Sequence, residues 1–424
     1  MGTPPRSRAV YLALFHATFL LVWAGNLLSN VGTWMENVSQ SWLVHSNSSL
    51  QEATVWTGIL SFAAVVPMTV LALPMGVIAD RYDRRRLLLL FQFMMCLGAT
   101  LQAVACHLGW TKPWMTVSIA LLEGLCAGAV VPVWHGIVPQ LVPREDLTGA
   151  IALNSAQFNV ARAVGPMLAG LVIKWWSLPA AFDLNVLSFA LLLFALATVR
   201  LDGIPRGPTK RDLRAELKEG LDTVYGHRGI FRLIWTGSLF VFFTAPIFAL
   251  LPAYAERQLK GEVNTFATLV SSIGTGAVVG AFLLGWISSR FTRQRAMALS
   301  AFLGAGALVS LGFIHDVWTA RALLVAFGVS WCVLLTTQNT AIQMLVRDAV
   351  RARVMSVNVL AFVAMPIGSL VFGWLGKPDV LDVSGAVQIL GVGALGVGLL
   401  HSLSIVPAIE ESVLMETEPV LVKA

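Results

Sequence analysis

"GVIADRYDRRR", residues 76–86, packs two acids and four arginines into a short space between two long apolar runs, 53–75 and 87–108. Charge of that density is too costly to leave in hydrocarbon, so the stretch reads as a tight loop in water between two membrane helices. The same alternation continues along the chain. Apolar stretches of roughly 20 residues, the length that spans a bilayer, recur from end to end. They predict twelve helices, at 14–43, 53–78, 87–108, 113–138, 148–174, 180–200, 230–256, 263–288, 295–314, 318–343, 352–376 and 383–408. The expected fold class is an all-α membrane protein with twelve transmembrane helices in two six-helix bundles.

Composition supports this. The 424 residues are 57% hydrophobic and 12% charged, with mean hydropathy +0.76, far from the roughly one-quarter charge of soluble domains. The first apolar run is longer than a signal-peptide core and has no small-residue cleavage site, so it reads as a retained helix. The net charge of +6 does not point to nucleic acid. With loops assigned alternately to two sides, 22 of the 29 Lys and Arg residues fall on the side of the termini. The positive-inside rule then puts both termini of a multi-pass protein in the cytoplasm, with the bilayer as its surroundings; the resemblance given below implies a bacterial inner membrane. The four cysteines (Cys96, Cys106, Cys126 and Cys332) lie in predicted helices without metal-ligand spacing and read as free apolar thiols.

The longest polar interruption, 201–229, divides the chain into halves at 1–200 and 230–424. Inside it Leu213, Leu217, Leu221 and Val224 recur at helical spacing. That suits a short helix on the cytoplasmic membrane surface, or a merely solvated linker. The halves echo each other. "GVIADRYDRRR" aligns with "GWISSRFTRQR" (285–295), and "QLVPREDL" (140–147) with "MLVRDAVR" (344–351). Six plus six helices with repeated loops is a transporter layout.

The opening loop resembles the signature of the major facilitator superfamily between helices two and three, roughly G-x-x-x-D-R-x-G-R-R. Gly76, Asp80, Arg81, Arg84 and Arg85 match it. Asp83 replaces the second glycine, and Asp tolerates the left-handed backbone such a turn would use. The resemblance implies a cytoplasmic gate latch in which Asp80 meets the start of the eleventh helix, around Arg351–Arg353, while the arginines anchor to lipid headgroups. A loop that only sets topology is the alternative. In the fifth helix Gly165, Pro166 and Gly170 resemble the G-P-x-x-G-G pattern of exporting antiporters. Together with "NLLSNVGTWMENVSQSWLV" (26–44), "FDLNVLSF" (182–189) and "RARVMS" (351–356), the segment 154–173 is similar to one bacterial exporter branch. That branch holds enterobactin-type siderophore exporters and macrolide-type efflux proteins. The resemblance implies secondary active export of a small molecule by alternating access, with protons as coupling ion. One departure stands out: drug exporters often carry an arginine in the fourth helix, where this chain has Glu123.

The first helix carries a polar stripe. Asn26, Ser29, Asn30, Thr33, Glu36, Asn37 and Gln40 fall within an arc of about 120° at helical spacing, as the wall of a wet cavity would. Intramembrane ionisable residues are functional candidates by default, and Glu36, Glu123 and Arg162 are the deep ones. A carboxylate withdrawn from water suits proton coupling; a structural Glu123–Arg162 ion pair is the competing reading. Asp183 and Glu256 sit near outer helix ends and are expected to be solvated, and Arg321 to snorkel outward. Asn154 and Asn159 in the fifth helix, with Gln338, Asn339 and Gln343 in the tenth, are candidates to hydrogen-bond a cargo or one another. "GTGAVVG" (274–280) follows no strand and reads as close helix packing. No Walker loop, HExxH or G-x-S-x-G is present, so no enzyme activity, cofactor or metal is expected, and the chain is expected to work as a monomer. The cargo divides between a siderophore-like metabolite and an amphipathic drug. A lipid or lysolipid mover and a non-transporting membrane sensor are the rivals.

Overall fold

Long helices joined by short polar turns make up the computed structural model, which describes residues 10–199, 213–346 and 348–402. Arg6, Arg8, Lys423 and residues 201–212 lie outside the described residues, as do the side chains of Gly76, Asp80, Arg81, Leu213 and Leu217. After a short 3₁₀ turn, Val10–Phe15, the first half comprises α1 (Ala17–Ser46), α2 (Ala53–Arg81), α3 (Arg84–His107), α4 (Pro113–Leu141), α5 (Leu147–Trp175) and α6 (Leu178–Thr198). The short helix α7 (Leu213–Gly226) leads into α8 (Arg228–Thr244), α9 (Ile247–Ala253) and a π-helical turn, Tyr254–Gln258. Then follow α10 (Val263–Arg290), α11 (Arg293–Leu311), α12 (Val317–Leu345), α13 (Asp348–Ala361), α14 (Ala364–Leu375) and α15 (Asp382–Ser402). Eleven spans are apolar and long enough to cross a membrane among the described residues. The twelfth is α1, whose polar stripe dilutes its hydropathy.

Two expected spans are broken. The seventh divides into α8 and α9 just before Pro246, and the eleventh into α13 and α14 a few residues before Pro366. Proline removes the amide that would bond back four residues and crowds the preceding turn, which accounts for both breaks.

The opening loop sits differently from expectation. Asp83 has φ −61° and extended backbone, not left-handed, and its carboxylate accepts the Arg86 amide at 3.0 Å as the N-cap of α3. Arg84 donates to the Gly136 carbonyl of α4 at 2.9 Å, and Arg85 to the carbonyls of Leu196 (2.9 Å) and Ala197 (2.5 Å) at the end of α6. Arg85 therefore satisfies orphan carbonyls at the C-terminus of α6. The repeat reproduces the device. Thr292 N-caps α11 through the Arg295 amide, and Gln294, aligned with Arg85, donates to the His401 carbonyl of α15 at 2.8 Å. We expect Asp83→Ala to lower stability by about 1 kcal/mol, the worth of an N-cap, read as a lower melting temperature of the purified protein. An unchanged melting temperature would show the cap to be idle.

Helix α7 packs against α13. Val224 is buried, and Gly220 touches the Arg353 carbonyl of α13, where an added Cβ would come within 2.8 Å. Glu219 pairs with Arg353. Arg353, half of the expected partner for Asp80, is thus engaged by the linker helix.

Within the first bundle α1 packs on α5 and α6, α2 on α4, and α3 on α4 and α6; α10, α11, α12 and α15 interlock in the second. The bundles meet along α2–α14 and α5–α10. Call the face with the loops 82–86 and 291–295 the basic face. Contact between bundles is concentrated on the opposite face. A Cβ on Gly58 (α2) would approach the Ser369 carbonyl of α14 to 2.5 Å, one on Gly373 would reach the Thr54 carbonyl at 2.6 Å, and Ser61 hydrogen-bonds Ser369. Toward the basic face α10 is exposed and Gly285 has nothing within 4 Å, while α13 touches α2 far less than α14 does. The cleft is open on the basic face and closed on the other.

Candidate functional site

The stripe on α1 divides as the helix packs. Ser29, Glu36 and Gln40 are buried against the interior of the first bundle, whereas Asn30 and Thr33 are half-buried and Asn37 is exposed. Asn26, one turn before Asn30, is buried as well. Glu36 accepts the side-chain amide of Asn185 (α6) at 2.5 Å, and Gln40 donates to Glu123 (α4) at 3.0 Å. The two carboxyls lie within hydrogen-bonding reach of each other. One oxygen of each, Oε1, is buried without a partner. Gly98 of α3 makes the room: a Cβ there would stand 3.1 Å from Glu123 Oε1. The site is thus a carboxyl pair braced by two amides on α1, α3, α4 and α6. Asn185 is the member that sequence reasoning missed, although a lone polar residue inside "FDLNVLSF" was a signal.

Arg162 is elsewhere. No ion pair joins it to Glu123 among the described residues. Its guanidinium carbon lies 5.9 Å from the centre of the Trp34 ring, and Trp34 in turn packs edge-on against Phe158. Its backbone carbonyl faces α10, where a Cβ on Gly274 would stand 2.9 Å away. The two glycines of the fifth-helix motif serve different partners. A Cβ on Gly165 would meet Trp34 Cβ at 2.6 Å inside the bundle, whereas one on Gly170 would meet Ala267 Cβ of α10, across the interface, at 2.7 Å. Pro166, beside Gly165, is buried.

Other candidates are already engaged. Asn154 accepts from Trp134 (3.0 Å) and Gln157 (2.8 Å), and Asn159 bonds the Ser155 carbonyl. Asn339 accepts from Asn358 of α13 at 2.9 Å, and Gln338 is buried against Gly237 of α8; Gln343 is exposed. Arg321 bonds Ser272 and lies 4.7 Å over Trp318. Glu256 is not simply solvated: on the closed face the buried His45 of α1 meets it at 2.5 Å, from bundle to bundle. Beside it Arg257 donates to the Leu50 carbonyl of the first half at 2.5 Å and to Gly376 of the second at 3.3 Å. Asp183 pairs with His107 at 3.0 Å near the surface.

Two bundles around a polar cleft, clasped on one face and open on the other, are the architecture of an alternating-access membrane transporter. The nucleoside transporter NupG has the same fold, with a TM-score of 0.74 at 9% identity over 91% of this chain and 98% of that one. The chain belongs to the family described as transmembrane secretion effector, within the major facilitator superfamily, whose pattern matches residues 9–422. It is a secondary transporter that exports small molecules, not an enzyme. The staphyloferrin A transporter of Staphylococcus aureus is 24% identical over 388 residues, covering 90% of this chain and 92% of its own. Macrolide efflux protein A of Streptococcus pyogenes is 23% identical over 301 residues, 70% of this chain and 73% of its own.

Proposed function

We propose that the chain is a proton antiporter of a bacterial inner membrane, with its basic face and both termini in the cytoplasm, and that Glu36 and Glu123 together carry the proton. The 1–200 and 230–424 halves are the two moving bodies, and 201–229 joins them. The observation that carries this reading is the carboxyl pair, which has no cation in ion-pair contact among the described residues. Two neighbouring carboxyls in a low-dielectric interior do not both stay ionised, so the pair holds one proton and can release it when its surroundings change. Gln40 and Asn185 are positioned to stabilise the charge left behind. Since α1 turns Glu36 and Gln40 toward the pair and Asn30, Thr33 and Asn37 toward the cleft, a small rotation or tilt of this one helix couples proton to cargo. Cargo relatedness supports two classes, a siderophore-like metabolite as in the staphyloferrin A transporter and an amphipathic drug as in the macrolide efflux protein.

The test is uptake into inverted vesicles with and without an imposed pH gradient. Cargo accumulation should require an acidic lumen and vanish when the gradient is collapsed; accumulation indifferent to pH would remove the proton from the mechanism. Helix orientation has its own check, in a background lacking the four native cysteines. Cysteines at Asn30, Thr33 and Asn37 should react with a charged maleimide added from the cytoplasmic face, whereas those at Leu28 and Met35 should stay inert. The opposite pattern would turn α1 around.

A second reading, a lysolipid mover, draws on an apolar groove of about 440 Å³ between α1, α5 and α6, walled by Leu28, Val31, Leu168, Leu187 and Trp176. Competition of the vesicle uptake by lysophospholipid at submicellar concentration would favour it.

A further inference from the structure

We propose that Arg162 is the cargo-recognition residue and that it selects a cargo bearing carboxylate or another anionic group. The inference rests on the transport reading above and names its substrate class. Along the spanning helices the sequence places only three charges deep in the membrane, Glu36, Glu123 and Arg162. The structure turns both acids into the interior of the first bundle, where amides hold them. Arg162 stands instead on α5, the helix that forms the seam with α10. Its backbone lies in that seam, where a Cβ on Gly274 of α10 would stand 2.9 Å from the Arg162 carbonyl.

Asn30 and Thr33 of α1 are half-buried, and Asn37 of α1 with Thr336 and Thr340 of α12 is exposed; all five are neutral polar residues. Among the described residues Arg162 forms no ion pair. It rests on the face of Trp34, a contact that offsets part of the cost of a cation withdrawn from water but leaves its donor fork unfilled. An anion brought into the cleft would fill that fork in a bidentate pair, and its carbon skeleton would meet Trp34 and the exposed ring of Phe158. A cationic amphiphile would meet an unshielded like charge at the same place, which excludes it. The arginine thereby favours an anionic metabolite over a cationic drug.

The experiment uses the purified full-length protein in detergent, at constant pH and without a gradient, so its outcome is independent of whether transport is proton-driven. Citrate serves as the anionic probe and tetraphenylphosphonium as the cationic one. The readouts are protection of a cysteine at Asn37 from a charged maleimide and the shift in melting temperature. Citrate should protect the wild-type background and raise its melting temperature, more weakly as NaCl rises, whereas tetraphenylphosphonium should do neither. Arg162→Gln should weaken citrate binding by about thirtyfold or more, the scale of removing one member of a buried charge pair. Arg162→Lys, which keeps the charge but not the fork, should lose less. An unchanged melting temperature of ligand-free Arg162→Lys controls for folding. Failure of citrate to protect the wild type, equal protection of Arg162→Gln, or protection of the wild type by tetraphenylphosphonium would each overturn the assignment.

Discussion

Glu123→Gln should reduce gradient-driven accumulation in inverted vesicles to background while leaving downhill cargo exchange within about twofold of wild type. Glutamine has the shape of the protonated acid and can donate to Glu36 while still meeting Gln40, so the pair behaves as permanently loaded. The protein then moves cargo without moving a proton. Stability discriminates this from a structural role. Were Glu123 the partner of a buried cation, its removal would cost on the order of 3–5 kcal/mol and lower the amount of folded protein. Among the described residues no such cation pairs with it, so Glu123→Gln should reach the membrane in normal amounts with an unchanged melting temperature. Glu36→Gln should behave alike. Retained uphill transport in both variants would end the proton-carrier assignment; loss of folded protein in either would convert it to a structural one.

The second large effect concerns the closed face. Gly58→Val puts a branched side chain where even a Cβ comes within 2.5 Å of the Ser369 carbonyl, and that oxygen belongs to backbone, which cannot swing aside. Overpacking of this kind costs about 1–3 kcal/mol, enough to depopulate the closed-outside state about fivefold to 150-fold. The variant should fold, stand open to the outside and turn over at a few per cent of wild type or less. A cysteine at Ser61 should then label readily from outside, where in the parent protein it is covered by Ser369. Normal turnover with labelling unchanged would mean that α2 and α14 do not need to meet.

Each of the twelve spans overlaps a helical span of the structure, because span length and apolarity are local properties of the chain. The breaks near Pro246 and Pro366 are legible in the sequence as well, since a proline inside an apolar run marks where a spanning helix kinks or parts. The motif glycines were recognisable as close-packing residues, but not that Gly165 faces its own bundle and Gly170 the other one. Periodicity assigns a face to a residue and leaves open which neighbour that face meets. The same limit separates Glu123 from Arg162: both are deep in adjacent spans, and only the azimuth of each helix decides that one joins Glu36 and the other joins the cleft. At Asp83 the sequence admitted a turn residue, and the cap geometry showed a different reason for an aspartate there. His45 carried a faint signal, a lone histidine in the last turn of a membrane helix, whose meaning depends on Glu256 more than 200 positions away.

The closed face is built largely of residues with little to reorder. Gly58, Gly170, Gly274 and Gly373 press against backbone or methyl groups of the opposite bundle, and serine hydroxyls supply the polar contact between α2 and α14. Glycine has no rotamers to freeze and serine few, so remaking this seam costs little side-chain entropy, unlike an interface of long charged side chains, where each costs about 1–2 kcal/mol. Arg257, a long side chain in the clasp, folds back onto its own half as well as reaching the other, so much of its ordering persists when the seam parts. A surface made and unmade once per molecule exported thus works like a press-fit joint: its selectivity lies in shape, and its repeated closing is thermodynamically quiet.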